Sequence, residues 1–338
     1  MTKLSFFLFL LLSLFPENQS LAQAAERPQK VFTGVYLMNL YDISLDEHSY
    51  KADFYVWFKW KGDLDPTDIE FVNAVEKWGM TSTPFEDSIL TLRDGWNYQG
   101  FRVESRFFHP FVLDRFPLEK HHLEIHIEHP DYPVDSLIFL PDTSSSVSLA
   151  ASKPPGKSVF FRPDLLLAGW NILGADLQQK EHAYGTDFGN PDNPASTFSD
   201  LVFTFRLGRP VSYFLLKLLL PLTIVMFAAF GALLFFPSYV EARISLPVGS
   251  LLTAVFFQQS YSSALPDVGY MVLMDKIYLL AYLLIAALLL QLIVTGNKIR
   301  RFKKEGVDYP RIKRKEKRLA WGFAGVYVVG VLMLVWLA

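Results

Sequence analysis

The chain has 338 residues, a hydrophobic fraction of 51%, a formal net charge of −2 at pH 7 and no cysteine. The balanced charge gives no sign of nucleic-acid binding, and the absence of cysteine excludes disulfides, thiolate nucleophiles and cysteine-based metal sites. Because the hydrophobic residues are concentrated in the last third, the composition predicts a membrane bundle preceded by a region of ordinary domain size.

The N-terminus has the pattern of an export signal. Lys3 precedes an apolar run from Leu4 to Phe15, and the small residues of Ala22–Gln23–Ala24 offer a cleavage site. The apolar run is shorter than a membrane-spanning helix requires. We therefore predict a signal peptide over residues 1–24 and an exported mature chain, with an uncleaved anchor as the alternative.

Residues 25–209 have the residue pattern of a β-rich domain. Five segments are rich in β-branched and aromatic residues, and several of them alternate apolar and polar side chains: 31–40, 50–60, 100–107, 122–128 and 201–206. Proline, glycine, aspartate and asparagine separate these segments, as expected of turns. Many short strands with irregular turns indicate a sandwich or a barrel, and we predict a β-sandwich.

The last third, residues 210–338, holds four apolar spans that follow the β-rich domain without a linker. They cover about residues 211–236, 242–261, 268–294 and 319–338, and each is near the roughly 20 residues that cross a bilayer. Between the last two spans, residues 298–318 form a basic loop, which the positive-inside rule places in the cytoplasm. We predict a multi-pass protein of the cell inner membrane whose N-terminal domain lies in the periplasm or outside the cell.

The second apolar span carries a semi-polar stripe. Spacings of three and four residues place six side chains on one helix face: Glu241, Ser245, Gly249, Leu252, Phe256 and Gln259. Polar groups in a bilayer are costly and tend to face a bundle interior or a water path. The stripe therefore favours the wall of a pore over the alternative, a seam of small residues that packs against neighbouring helices.

Other polar patterns are weaker. A solvated strand face explains four alternating residues better than a cation site does: His122, Glu124, His126 and Glu128. Aspartates around the Gly/Pro-rich loop at 189–194 fit a plain turn better than a Ca²⁺ site. Since the sequence contains no phosphate-binding loop, zinc-protease motif or nucleophile elbow, we predict neither enzymatic activity nor a cofactor or metal.

A further set of marks follows the chain in order. The most specific is the segment Phe111–Glu119 around the pair Phe116–Pro117; the others are Trp60, Asp68–Ala74, Gly169–Trp170, Arg206, Pro221 and Leu265–Pro266. With the export signal, the strands and the four spans, these marks resemble the pentameric ligand-gated ion channels in their bacterial form, over nearly all of residues 30–338. His109 and Leu123 stand where animal receptors have two cysteines, so the resemblance implies a signature loop without its disulfide.

The resemblance implies a homopentamer whose second helices enclose the pore. Glu241 would form a carboxylate ring at the cytoplasmic mouth, as in cation-conducting members of the family, while Leu252 and Phe256 would form apolar constrictions that stop ions by dewetting. We therefore expect monovalent cations to permeate. Arg243 keeps anion conduction open as the alternative, and Pro247 is expected to bend the pore wall.

The resemblance also implies a ligand site between adjacent subunits, where aromatic rings could hold an amine. The matching positions are Tyr55, Phe71, Asp142, Tyr184 and Phe188. The first two are equally well explained as core residues. Six residues near the membrane surface are expected to couple the two domains: Asp46, Asp114, Phe116, Pro117, Arg206 and Pro266. Among them, Arg206 is expected to form an ion pair with Asp46 or Asp114. The implied partners are a small-molecule ligand or protons, and membrane lipids.

Two other classes of protein stay open. One is a four-helix periplasmic sensor or assembly protein, in which the second span packs against its neighbours and encloses no pore. The other is a transporter subunit, although the sequence has no visible inverted repeat.

Overall fold

The computed structural model describes residues 27–142, 160–189, 197–263, 265–302 and 309–337. The predicted signal peptide at 1–24 lies outside these ranges. Within them the chain forms a β-rich domain followed by four helices. The strands are β1 (Gln29–Ser44), β2 (Ser49–Trp60), β3 (Glu70–Phe71), β4 (Thr81–Pro84), β5 (Leu90–Thr91), β6 (Asn97–Phe108), β7 (Lys120–Glu128), β8 (Leu137–Pro141), β9 (Asn171–Ala183) and β10 (Thr197–Gly208).

The strands form two sheets. One has the order β4–β6–β2–β1–β8, with β5 also paired to β6, and the other has the order β3–β7–β10–β9. Strand β1 runs parallel to β8, and its pairing with β2 is antiparallel. All five strand segments expected from the sequence are present as strands, and the predicted β-sandwich is confirmed.

Alternation explains why these segments form a sandwich. In β2 the even-numbered residues are buried, whereas Tyr55 and the other odd-numbered residues that follow it lie on the outer face. The ring of Phe54 in β2 lies 5.7 Å, centroid to centroid, from that of Phe71 in the opposite sheet, so the two sheets share one core. Burying such a ring fully contributes about 2 kcal/mol.

The four helices are α1 (Tyr213–Leu234), α2 (Val240–Ser262), α3 (Leu273–Phe302) and α4 (Tyr309–Leu337). Each is long and apolar enough to cross a bilayer, so the chain is a multi-pass membrane protein. Helices α2 and α4 both pack against α1 and α3, and both approach the final turn of α1, Ala232–Leu234.

Proline is accommodated differently in α1 and α2. Helix α1 opens with π-helical turns over Tyr213–Leu219, directly before Pro221, and continues as an α-helix over Leu220–Gly231. A proline has no N–H to donate and crowds the carbonyl four residues earlier, and the wider π-helical turns relieve both problems. Helix α2 stays α-helical on both sides of the buried Pro247; the bend expected there stays a prediction.

The region predicted as a basic loop, 298–318, is helical at both ends. Helix α3 continues to Phe302 and α4 begins at Tyr309. Lysine and arginine are good helix formers, and their charge keeps them out of the hydrocarbon without ending a helix. Helix α3 also begins later than predicted, at Leu273, since residues 265–272 form the connection from α2.

Candidate functional site

The predicted stripe of α2 lies on one uncovered face of the subunit. At 3.6 residues per turn its six members fall within an arc of roughly 80°. All six are exposed, with Leu252 at 57% and Phe256 at 64%, and a methyl group added at Gly249 would meet no atom within 4 Å. A single subunit therefore leaves a row of polar and apolar side chains without a covering partner.

The opposite face of α2 is buried. Its members fall within an arc of roughly 60° that is centred almost half a turn away from the stripe: Arg243, Pro247, Ser250, Ala254 and Tyr261. Arg243 kept anion conduction open in the sequence, which would require it to share the face of Glu241. In the structure it does not, because Arg243 is buried and forms an ion pair with Glu316 of α4, whereas Glu241 is exposed.

A cavity of about 540 Å³ opens at the far end of the four-stranded sheet. Its lining combines three aromatic rings with two carboxylates: Tyr184, Phe188, Phe198, Glu70 and Glu128, beside Val72, His129 and Pro130. The Tyr184 ring centroid lies 5.3 Å from that of Phe188 and 5.8 Å from that of Phe198. The three rings thus form one continuous aromatic surface.

Glu128 is the charged centre of this cavity. Its side chain is only 4% exposed; Oε2 accepts a hydrogen bond from the Tyr184 hydroxyl at 2.9 Å, and Oε1 lies 2.6 Å from His182 Nδ1. Burial, together with the hydrogen bond to Glu128, raises the pKa of Tyr184. Glu70 lies directly opposite Glu128 in the β3–β7 ladder. Both carboxylate side chains line the cavity, so its polar part is acidic.

The predicted ligand residues fall into two groups. Tyr184 and Phe188 line the cavity. Phe71 does not, because alternation along β3 directs Glu70 to the cavity and Phe71 into the core, where its ring centroid lies 5.9 Å from that of Phe107. The alternative interpretation of Phe71 as a core residue therefore fits the structure.

Tyr55 and Asp142 lie on the other sheet, away from this cavity. Tyr55 is half-buried on the outer face of β2, with its ring centroid 5.5 Å from that of Phe85 and 5.8 Å from the guanidinium carbon of Arg102. Asp142 is buried and accepts hydrogen bonds from Trp57 Nε1 at 2.9 Å and from Lys59 Nζ at 2.9 Å. Within one subunit, Tyr55 and Tyr184 are on different sides of the sandwich.

Arg209 and Glu119 form a buried ion pair at the junction between the domains. Arg209 Nε donates to Glu119 Oε1, and the two side chains are 16% and 2% exposed. The guanidinium carbon lies 4.3 Å from the centroid of the Trp170 ring and 5.2 Å from that of Phe116. A carboxylate and two aromatic faces therefore hold this cation between the last strand and the first helix.

The structure places this pair at Arg209 rather than at the predicted Arg206. Inward-facing residues of β10 are odd-numbered up to Leu207, so Arg206 is exposed on the outer face, while Arg209 continues the inward parity. Asp46, the carboxylate expected to pair with Arg206, is also exposed. The acidic groups of its loop that form ion pairs are Asp42 and Glu47, both with Arg106.

The loop that contains Phe116–Pro117 rests on the helices. Leu113 N donates to Tyr270 Oη at 2.9 Å, and Leu273 N at the start of α3 donates to the carbonyl of Asp114 at 2.9 Å. Phe116 stacks on Tyr261 of α2, with ring centroids 6.3 Å apart. These contacts join the β-rich domain to both ends of the α2–α3 connection, in which Pro266 is half-buried.

Two histidines line the inner side of the same loop, and His121 is buried while His109 is partly buried. The ring centroids of His109 and His121 are 5.6 Å apart, and both rings contact Phe111. The Nε2 atom of each ring is buried, and neither has a hydrogen-bond partner in the part of the chain that the structure describes. Burial lowers the pKa of both imidazoles to about 4, so both are neutral at pH 7. The sequence signal, His109 at the position of a family cysteine, gave no hint of His121.

Two strands connect the cavity to the junction. Strand β7 begins next to Glu119 and ends at Glu128, a rise of roughly 30 Å. The second residue of strand β10 is the cavity-lining Phe198, and the strand ends one residue before Arg209. Both strands lie side by side in the same sheet. A displacement at the cavity therefore has two hydrogen-bonded routes to the ion pair.

The four alternating residues of β7 differ in their contacts. His126 Nδ1 lies 2.7 Å from Asp200 Oδ2, and this hydrogen bond raises the pKa of His126. Glu128 pairs with His182, whereas His122 is exposed, as in the solvated face predicted. Among the described residues, no group of three or more His, Asp or Glu side chains could hold a metal ion.

This two-sheet domain, resting through a Phe-Pro loop on four membrane helices, has the architecture of the pentameric ligand-gated ion channels. Sequence comparison agrees. The chain is 22% identical over 279 residues to a proton-gated ion channel of Gloeobacter violaceus, with 77% of this chain and 70% of that protein covered. It is 24% identical over 187 residues to pH-sensitive chloride channel 2 of Anopheles gambiae.

The second similarity covers 55% of this chain and only 28% of the length of the mosquito protein. No protein-family model matches the chain. The resemblance to the pentameric ligand-gated channels is nonetheless confirmed by both sequence similarity and architecture.

Proposed function

We propose that the chain is the subunit of a homopentameric ligand-gated ion channel that conducts monovalent cations. The observation that carries this proposal is the uncovered stripe of α2, because a membrane helix with one polar face must turn that face to water or to a partner. Five copies around an axis supply both the water and the partner subunits. The names of the two relatives, each an ion channel, support the same class rather than an enzyme.

The pore follows from the order of residues along the stripe. Ser245 and Gly249 make its cytoplasmic half hydrophilic, whereas rings of Leu252 and Phe256 make apolar constrictions that stop ions by dewetting. The exposed Glu241 supplies a ring of carboxylates at the mouth, while the positive charge of Arg243 is turned away and neutralised. A mouth lined by carboxylates concentrates cations.

The ligand that fits the cavity is a small organic cation with an amine group. Three aromatic rings offer cation–π contacts, and the carboxylates of Glu70 and Glu128 in the lining favour a positively charged ligand. We place this site at the boundary between subunits, with the Tyr55 side of the neighbouring subunit closing the cavity. Strands β7 and β10 then carry the movement to Arg209 and α1.

Protons are a second candidate trigger. The specific observation is the pair of packed imidazoles, His109 and His121, beside the junction, each with a buried Nε2 atom. Uptake of a proton by His121 would place a second cation near Arg209. The printed names of both relatives, proton-gated and pH-sensitive, favour the same trigger. The two candidates use different sites and can be separated by mutation.

The orientation follows from charge. The basic residues of α3 and α4 lie at the end of the bundle opposite the β-rich domain, so the positive-inside rule places that end in the cytoplasm. The β-rich domain then faces the periplasm, the membrane is the cell inner membrane, and lipids surround the outer helices.

The test is reconstitution of the purified chain in liposomes. We expect five-fold particles and single-channel currents whose reversal potential in a sodium chloride gradient lies near that of sodium. Glu241→Gln should move the reversal potential toward zero. Monomeric particles without currents would favour the alternative of a sensor or assembly protein, and currents that follow chloride would overturn the cation assignment.

The trigger is tested in the same liposomes with a panel of small amines and with acid. Glu128→Gln should raise the half-activating amine concentration at least tenfold. The matched control is Glu124→Gln, a change of the same chemistry on the same strand outside the cavity. Equal effects of the two variants, or activation by acid alone, would contradict the amine and favour protons.

A further inference from the structure

Helix α4 begins with a basic segment that contains one buried acid. Glu316 is 1% exposed, whereas the neighbouring cations all point outward: Arg311, Lys313, Arg314, Lys315, Lys317 and Arg318. Helical periodicity explains its burial, because Glu316 is the first member of the buried row that continues through Ala320, Ala324, Tyr327 and Val331. The charge therefore lies inside the bundle and not on its surface.

The partner of Glu316 is Arg243 in the first turns of the stripe-bearing helix α2. Arg243 Nη2 donates to Glu316 Oε1, and Arg243 Nε donates to the carbonyl of Ala232 at 3.3 Å. The two side chains are 5% and 2% exposed. One guanidinium thus connects α2 to α4 and to the final turn of α1.

The position of Arg243 matters because Glu241, at the proposed mouth of the pore, lies two residues earlier. Two residues correspond to a rotation of roughly 200° around a helix, so Arg243 and Glu241 leave α2 in nearly opposite directions. A guanidinium keeps its proton in any protein environment. The positive charge at this level of the pore therefore has to be held at a distance from the mouth.

We propose that Glu316 is a selectivity-determining residue that acts from outside the pore: it holds the cation of Arg243 behind α2, so that Glu241 alone sets the charge of the cytoplasmic mouth. This inference rests on the proposed cation channel. A buried charge that loses its partner must find water or a new counter-charge. The mouth beside Glu241 offers Arg243 both water and a counter-charge.

The consequence is a change of selectivity from a residue in α4, outside the stripe-bearing helix. In Glu316→Gln channels, five guanidinium groups would join the Glu241 ring and cancel its charge. We expect the ratio of sodium to chloride permeability to fall at least fivefold, with a smaller single-channel conductance. The matched control is Lys315→Gln, which changes an exposed neighbour by one charge and should leave the reversal potential unchanged.

The decisive variant removes both charges. Arg243→Gln combined with Glu316→Gln leaves Glu241 as the charge at the mouth, and we expect the wild-type reversal potential to return. An assembled Glu316→Gln channel with the reversal potential of the wild type would overturn the proposal, as would a double variant that stays as poorly selective as the single one.

The outcome is interpretable even where the single variant does not assemble. Assembly restored in the double variant would show that the unpaired cation caused the failure, which supports the proposal; a double variant that also fails to assemble would contradict it. A wild-type chain that conducts no cations would instead refute the proposed function itself, and this result is seen before any variant is made.

Discussion

The two ends of the membrane bundle each carry a buried arginine–glutamate pair, and the two pairs have different surroundings. At the junction, Arg209 and Glu119 lie among aromatic rings and next to His121. At the cytoplasmic end, Arg243 and Glu316 lie between helices, with a backbone carbonyl as the second acceptor. In both pairs the glutamate Oε2 is buried and has no hydrogen-bond partner among the described residues.

Arg209 is held by a carboxylate and two aromatic faces, whereas Arg243 is held by a carboxylate and a backbone carbonyl, whose hydrogen bond is directional. The titratable ring of His121 contacts Trp170, which Arg209 also contacts. We infer that the upper pair transmits motion between the domains and that the lower pair holds a charge in place.

The largest expected effect is the loss of gating on removal of the upper cation. Arg209→Ala leaves Glu119 buried without its partner, a change that typically costs about 3–5 kcal/mol. It also removes the contacts with Trp170 and Phe116. We expect the currents to disappear while the cavity of the same protein still binds its ligand. Patch recording measures the currents, and equilibrium binding on the same preparation measures ligand affinity.

The control for this change is Arg206→Ala. Arg206 is exposed, and we expect its removal to alter activation less than twofold. Equal losses in the two variants would mean that general positive charge at the membrane surface matters, and not the buried pair.

The contrast between these arginines also shows what the sequence can and cannot specify. Composition and alternation were sufficient for the sandwich, the four spans and the stripe of α2, because each is a local periodic pattern. The paired arginine was missed by three positions, although strand parity from Leu201 to Leu207 carried the signal for Arg209.

Pairings between distant segments could not be predicted. The cavity brings together β3, β7 and the β9–β10 connection. Tyr184 and Phe188, which the resemblance had indicated, line it, whereas Glu128 was taken as part of a solvated face. Arg243 and Glu316 are 73 residues apart, and no periodic pattern links them. Such contacts depend on how helices and strands meet, which one sequence does not encode locally.

A smaller effect is expected from acid on the upper region. Packed His109 and His121 have a pKa of about 4, against 6.5 for an exposed imidazole. Above pH 6.5 both are neutral whether the loop is packed or open. As the pH falls from 6.5 to 4, the open loop binds more protons, so the packed loop loses stability by up to about 1.4 kcal/mol per pH unit for each histidine.

Hydrogen exchange of the backbone amides at 109–123 measures this loss. Protection should fall steadily between pH 6.5 and pH 4 in the wild type. The double variant His109→Phe/His121→Phe keeps the aromatic packing and should show a flat profile over the same range, after correction for intrinsic exchange. Retention of the acid-dependent loss in that variant would show that His109 and His121 do not cause it.

The smallest effect is expected where both members of the lower pair are removed together. Replacing a buried ion pair by neutral groups of similar size is often close to neutral for stability, because the cost of desolvating the two charges disappears with their attraction. We expect Arg243→Gln/Glu316→Gln to change the free energy of unfolding by about 1 kcal/mol or less, and Glu316→Gln alone to cost about 3 kcal/mol or more.

Arg209→Gln/Glu119→Gln should not recover in this way, because Arg209 also loses two aromatic contacts. Thermal unfolding of the detergent-solubilised variants compares all three directly. A lower double variant that melts as early as Glu316→Gln would show that the lower pair, too, is held by more than its two charges, and the difference between the two ends of the bundle would be lost.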